Sequence, residues 1–178
     1  VFPEAVDNLS ASRGREVIPI LTESMEDYME IIYRLSEEKG YVRAVDISEF
    51  LNVQASSVTR MIQKLDGAGF VKYERYRNIS LTPLGARYGR FLAWRDDTLK
   101  RFLRMLNADM GVEEQVEGIE HYITPDTMSL ISNLLTYFTS SSGRLSELAS
   151  LRKRSEYPLN ENLRELRAWE FRHHTDDT

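Results

Sequence analysis

The run Val116-Glu117-Gly118-Ile119-Glu120-His121 gathers two carboxylates and an imidazole into one short stretch. On a helix, Glu117, Glu120 and His121 stand at i, i+3 and i+4 and share one face. Carboxylates crowded there repel one another, and a divalent cation neutralises them. Oxygen donors with a single nitrogen suit Mn²⁺ or Fe²⁺ better than a thiophilic ion. Taken alone, the motif reads more readily as a solvated acidic face, since charged side chains usually meet water. A metal centre therefore needs donors from elsewhere in the chain.

One source is the stretch after Thr22. Thr22 and Ser24 offer N-caps for a helix running to about Lys39, with Asp27 in the position of a capping-box acid. Met25, Tyr28, Ile32 and Leu35 form its apolar stripe, and Gly40 ends it. Asp27 and Glu30 are i, i+3 neighbours beside that stripe. By spacing alone they fit compensation of the helix dipole better than metal ligation.

Overall properties narrow the classes. The chain has 178 residues, 42% of them hydrophobic, which fits one globular domain or two small ones sharing a core. There is no cysteine, which excludes disulfides, thiolate zinc sites and cysteine nucleophiles. No apolar run reaches the length of a membrane span and no signal-peptide pattern is seen, so the cytoplasm is expected. The net charge of −5 is unevenly spread. Residues 41–90 carry eight Lys/Arg against four acids, while 1–40 carry four against nine and 101–178 nine against thirteen. A basic middle between acidic ends suits a DNA-binding module joined to something else.

The basic block has a matching layout. Val45–Leu51 reads as a short helix and Asn52–Ala55 as a turn. Ser56 or Ser57 then caps a second helix through about Asp66, with Val58, Met61, Ile62 and Leu65 inward. Phe70–Glu74 and Asn78–Leu81 alternate as two strands joined by Arg75-Tyr76-Arg77. This is the order of a winged helix-turn-helix, whose second helix enters the major groove while the wing reaches phosphates. Ser56, Ser57, Thr59, Arg60, Gln63 and Lys64 are left on or near the outer face, with Arg75 and Arg77 on the wing. Short hydroxyls allow close approach, and long basic or amide groups reach bases and phosphates. Folds of this kind also serve as protein-interaction modules.

Thr82-Pro83 starts a long helix to about Leu106, carrying Asp96 and Asp97 in its middle. A helix over 112–122 holds the acidic motif. Thr124-Pro125 opens another, rich in Leu130, Ile131, Leu134, Leu135, Tyr137 and Phe138, part of which reads as a symmetric dimer interface. A helix over 143–156 follows, and Leu159, Leu163, Leu166 and Trp169 suggest a final amphipathic one. The expected fold is mainly α: an N-terminal winged helix-turn-helix with a β-hairpin, joined by a long helix to an all-helical dimerisation domain. The expected divisions are an extension (1–21), the DNA-binding domain (22–84), the metal-binding and dimerisation domain (85–157) and a C-terminal extension (158–178).

Several separated motifs carry a resemblance. Ser24–Glu30, Ser56–Leu65, Tyr73–Arg77, Leu81–Gly85 and Val116–His121 resemble, in order, the manganese-responsive branch of the diphtheria-toxin-repressor family. The resemblance covers roughly residues 22–157. It implies a homodimeric, cytoplasmic winged-helix repressor of metal-uptake genes, activated by Mn²⁺ and acting on double-stranded DNA with a palindromic operator. It also implies metal ligands at Asp27, Glu30, Asp96, Glu117, Glu120 and His121, shared between two Mn²⁺ ions per subunit. Iron-sensing relatives have a methionine and a cysteine where Asp27 and Glu117 stand, so the hard donors here point to manganese. Asp96 departs from the pattern, standing where the family has a histidine; aspartate reaches less far and adds a charge.

The remaining alternatives are a winged-helix regulator of another divalent ion such as Fe²⁺, or of a small molecule. A di-metal carboxylate enzyme needs Glu and His at i, i+3 on two helices, whereas Gly118 stands three residues before His121. No catalytic residue, organic substrate or membrane partner is expected.

Overall fold

The computed structural model describes residues 21–73, 78–106, 108 and 111–151. Helix α1 spans Glu23–Lys39 and ends at Gly40, whose φ of 72° is the left-handed conformation that glycine adopts without penalty. Its start differs from expectation. Thr22 occupies the cap position without a side-chain hydrogen bond, and Asp27 turns toward the later helices rather than closing a capping box.

Helices α2 (Ala44–Leu51) and α3 (Ala55–Gly67) follow, joined at Asn52 in the left-handed conformation. Neither Ser56 nor Ser57 caps α3: Gln54 is its N-cap and both serines lie inside the first turn. Val58, Ile62 and Leu65 are fully buried and Met61 packs against the same core. Strands β1 (Val71–Lys72) and β2 (Ser80–Leu81) pair antiparallel, shorter than the alternation suggests, with Val42 bridging to Ile79 beside them. This is a winged helix-turn-helix built on one core of α1, α2, α3 and the hairpin. The wing residues Arg75 and Arg77, the chain before residue 21 and the helix expected beyond Pro158 lie outside the described residues.

Helix α4 (Pro83–Met105) begins as expected, with Pro83 at its start and the Thr82 hydroxyl accepting from the Gly85 N–H at 3.0 Å. It leaves the head and enters a second core of Leu99, Val112, Val116 and Met128. Helix α5 (Val112–Ile119), a 3-10 turn (Glu120–Tyr122), α6 (Pro125–Thr139) and α7 (Ser142–Leu151) complete this part. On α6, Met128 and Leu135 face the core, while Leu130, Leu134 and Tyr137 form an exposed apolar stripe. No described helix is long and apolar enough to cross a membrane.

Two glycines set how α4 sits. A Cβ on Gly85 would overlap the Phe70 carbonyl oxygen, which the Thr82 N–H and hydroxyl both hold at 3.0 Å. A Cβ on Gly89 would lie 2.6 Å from the Tyr33 Cβ. Gly89 thus lets α1 pack directly on α4, bringing Asp27 and Glu30 near the second core. Neither obstacle is the loose end of a side chain, so backbone must move. Gly85→Ala is expected to destabilise by about 2 kcal/mol or more despite alanine's better helix propensity. Gly118, with nothing within 4 Å of its would-be Cβ, serves as the control. Urea denaturation should show Gly118→Ala at or above the parent and both Gly85→Ala and Gly89→Ala below it.

Candidate metal centre and DNA-reading face

The acidic motif does not fold as one helical face. Helix α5 ends at Ile119, and residues Glu120–Tyr122 tighten into a 3-10 turn. The tighter winding separates Glu117 from Glu120 and sends them to different places. Two triads result. Asp27, Glu117 and His121 form one, and Glu30, Asp96 and Glu120 the other, each with donor atoms within 4.8 Å of one another. Each combines a carboxylate from α1 with residues from α5 or the turn, and Asp96 joins the second from α4.

Burial differs between them. Asp96 and Glu120 are 5% and 3% exposed, whereas Glu117 is open to solvent. His121 is fixed from behind: its Nδ1 lies 2.9 Å from Glu26 Oε2. A carboxylate there favours the proton on Nδ1 and turns Nε2 toward Asp27, whose Oδ1 is 3.1 Å away. That approach is misdirected for a hydrogen bond, and the buried Asp27 Oδ1 has no hydrogen-bond partner. Glu120 Oε2 is likewise buried without one, with Arg95 Nε at 3.6 Å. Orphaned carboxylate oxygens beside a preset imidazole nitrogen fit a hard divalent ion.

Glu26, Arg95, Arg34 and Lys100 are absent from the sequence-derived set. Glu26 accepts from the Tyr88 hydroxyl and Arg95 Nη1, both at 2.9 Å, besides facing His121. Arg95 is 4% exposed, which its place in an ordinary helical pattern does not reveal. Arg34 joins Glu30 and Asp96 at 2.7 Å each and Asp97 at 2.9 Å. Lys100 lies 2.7 Å from Asp96 Oδ1. The Glu30–Arg34 and Asp96–Lys100 pairs have the i, i+4 spacing that the sequence does display.

The electrostatics follow from this crowding. Burial pushes the Glu120 carboxyl up to about 7, with Arg95 working against it and Glu30 and Asp96 adding to it. Burial and the neighbouring Glu117 also raise Asp27. Burial raises Glu30 too, although Arg34 opposes it. For His121, burial disfavours the charge, but the Glu26 hydrogen bond and Asp27 prevail and raise it.

On α3, Ser56, Ser57, Arg60, Gln63 and Lys64 are exposed and Thr59 is partly so. The Thr59 hydroxyl bonds back to the Ala55 carbonyl at 2.9 Å. Arg60 and Lys64 form no salt bridge among the described residues, which leaves an outward face of uncommitted donors.

The shifts fix a pH dependence. Between its ordinary value of 4.5 and about 7, Glu120 binds more protons folded than unfolded, so stability falls as pH rises through that window. His121 acts in the same direction: its contribution is full below 6.5 and is lost as pH rises through its raised folded value. Glu26, held below its ordinary value despite burial because His121 and Arg95 favour its charge, acts only at lower pH. The metal-free protein should therefore melt about 5 °C or more lower at pH 8 than at pH 6. Glu120→Gln should remove a large part of that difference in circular-dichroism melts.

Comparison with known proteins agrees with this organisation. The family model for the iron dependent repressor N-terminal DNA binding domain matches residues 20–79. That for the iron dependent repressor metal binding and dimerisation domain matches residues 82–144. The chain is 44% identical over 141 residues to the HTH-type transcriptional regulator MntR of Shouchella clausii, covering 79% of this chain and 99% of that protein. It is 44% identical over 137 residues to that of Bacillus subtilis, covering 76% and 96%. Among solved structures, the manganese regulator SloR aligns with a TM-score of 0.50 at 25% identity, over 66% of this chain and 55% of that one. With both models matched in order and whole relatives spanned, the chain belongs to the iron-dependent (diphtheria-toxin) repressor family, in its MntR branch, and is a metal-responsive DNA-binding transcriptional regulator rather than an enzyme.

Proposed function

We propose that the chain is a cytoplasmic, Mn²⁺-activated repressor of metal-uptake genes, with its metal centre in the seam formed by Asp27, Glu30, Asp96, Glu117, Glu120 and His121. One observation carries this reading. Each triad takes a carboxylate from α1, which belongs to the DNA-reading head, and a partner from the 3-10 turn, which belongs to the second core. A divalent ion supplies positive charge that draws these carboxylates together. The donor set of hard oxygens and one imidazole, with no sulfur, favours Mn²⁺. The family resemblance implies two ions per subunit, and the two triads that could serve them differ in burial and in neighbouring charge.

The chain's own residues do the rest. Helix α1 shares a core with α3 through Ile31, Ile32, Leu35, Ile62 and Leu65, so fixing α1 fixes the reader. Tyr88 and Arg95 on α4 hold Glu26, and Glu26 orients His121. The head spans residues 22–84, the metal-binding and dimerisation part residues 85–157. Pairing through Leu130, Leu134 and Tyr137 of α6 makes a homodimer whose two heads meet a palindromic operator with half-sites about 34 Å apart. On each head Ser56, Ser57, Thr59, Arg60, Gln63 and Lys64 of α3, with Arg75 and Arg77 of the wing, contact the duplex.

Fluorescence anisotropy with palindromic promoter DNA, titrated with and without Mn²⁺, tests this. Asp27→Ala with Glu30→Ala should leave a folded head whose weak DNA binding no longer improves with Mn²⁺; wild-type activation in that variant would refute the clamp. Arg60→Ala and Lys64→Ala should weaken DNA binding while leaving Mn²⁺ binding intact. The slope of log affinity against log salt should fall by about one for each lost phosphate contact.

A further inference from the structure

The two triads are not alike in charge. Around Asp27 and Glu117, no Lys or Arg among the described residues forms a salt bridge, and the nearest compensating group is the His121 ring. Around Glu30, Asp96 and Glu120 stand three cations. Arg34 Nε lies 2.7 Å from Glu30 Oε1. Arg34 Nη2 lies 2.7 Å from Asp96 Oδ2 and also donates to the Ala93 carbonyl at 3.3 Å. Lys100 Nζ lies 2.7 Å from Asp96 Oδ1 and 2.8 Å from its Oδ2. Arg95 Nε lies 3.6 Å from Glu120 Oε2. Arg34 and Lys100 thus serve this triad directly, Arg34 being shared with Asp97, while Arg95 is hydrogen-bonded to Glu26 and stands farther from Glu120.

Asp96 is the centre of this arrangement. Both its oxygens are committed to cations, and its side chain is 8% exposed. Its short stem cannot turn to another position without abandoning them. An ion entering here must displace Arg34 and Lys100 from Asp96, and both cations are rooted on the helices beside the site. Like charges so placed repel. An arginine fork matches two carboxylates at once, as it does across Glu30 and Asp96, and lysine adds a compact charge on the other side.

Resting on the reading of this seam as the protein's metal centre, we propose that Arg34 and Lys100 are built-in counter-ions that hold the Glu30–Asp96–Glu120 triad in place of a second divalent ion. The protein then answers to one ion per subunit, taken by Asp27, Glu117 and His121. Arg34 stands on α1 and reaches Asp96, Asp97 and the Ala93 carbonyl of α4. It supplies permanently, from the chain itself, one of the two ties between head and second core. The response to metal is consequently a single-ion response, without cooperativity between two ions in one subunit.

The test counts Mn²⁺ on the full-length dimer by equilibrium dialysis with atomic absorption and examines it by electron paramagnetic resonance. The parent should hold one Mn²⁺ per subunit, with the six-line spectrum of an isolated ion. Arg34→Met with Lys100→Met should gain a second Mn²⁺ and a spectrum broadened by spin coupling between neighbouring ions. Should that double variant fail to fold, Lys100→Met alone, on the partly exposed side, should bind a second ion at least tenfold more tightly than the parent. The charge-conserving pair Arg34→Lys with Lys100→Arg should stay at one. Two tightly held, coupled ions in the parent would overturn the counter-ion role while leaving the proposed function standing. A count that stays at one after the cations are removed would overturn it too. No Mn²⁺ on any form would overturn the proposed function and this inference with it.

Discussion

Carboxylates forced together along one seam are the constraint that the rest of the structure answers to. Glu26, Asp27 and Glu30 of α1, Asp96 of α4, Glu117 of α5 and Glu120 of the 3-10 turn all stand between the head and the second core. Left in water they would hold the two parts open. The fold brings them together because apolar packing on either side, and Gly89 against Tyr33, set α1 flat on α4. The cost shows in Asp27, Glu30 and Glu120, all raised by burial. Within the described residues it is met unevenly. Arginine and lysine meet it on the Glu30 and Asp96 side, and a single imidazole meets it on the Asp27 side.

In the proposed mechanism that unevenness is what makes the seam responsive to metal. A seam fully neutralised by its own cations would be closed at all times, and one with none would stay open until metal arrived. Here α1 is tied to α4 by Arg34 and by the Glu26 contacts to Tyr88 and Arg95, while Asp27 Oδ1 and Glu120 Oε2 remain buried without hydrogen bonds. A coupling of roughly 1–3 kcal/mol suffices for a regulatory response. It reaches DNA without a long relay, because α1 and α3 share one core.

Much of this was legible in the sequence, and what was not has particular causes. Apolar periodicity placed the helices of the head and the long helix, since burial of one face dictates it. The start of α3 was misplaced because hydroxyl residues are strong caps in general, whereas here the inward phase set by Val58, Ile62 and Leu65 carries the helix back to Ala55. The acidic motif was expected on one continuous helical face. It breaks as the chain turns into α6: Glu120–Tyr122 wind as a 3-10 turn, and Ile123 and Thr124, the latter before a proline, are extended. The acidic residues and His121 still meet the seam, since both halves of the break face it. Arg95 and its partner Glu26 left no trace, because the contact between them is tertiary and a buried arginine in a helix looks like an exposed one.

Asp96 gains its meaning from these neighbours. A neutral imidazole at this position would leave Lys100 without its ion-pair partner and Arg34 with only Glu30 and Asp97. An aspartate without the two cations would add a third negative charge to a buried group whose member Glu120 already resists ionisation. Asp96 is the buried member of both pairs, so removing its cations would leave a buried carboxylate without compensation. Asp96, Arg34 and Lys100 therefore belong together as one electrostatic unit. The charge of this part of the seam is carried jointly by three residues on two helices, and the role of Asp96 is legible only together with Arg34 and Lys100.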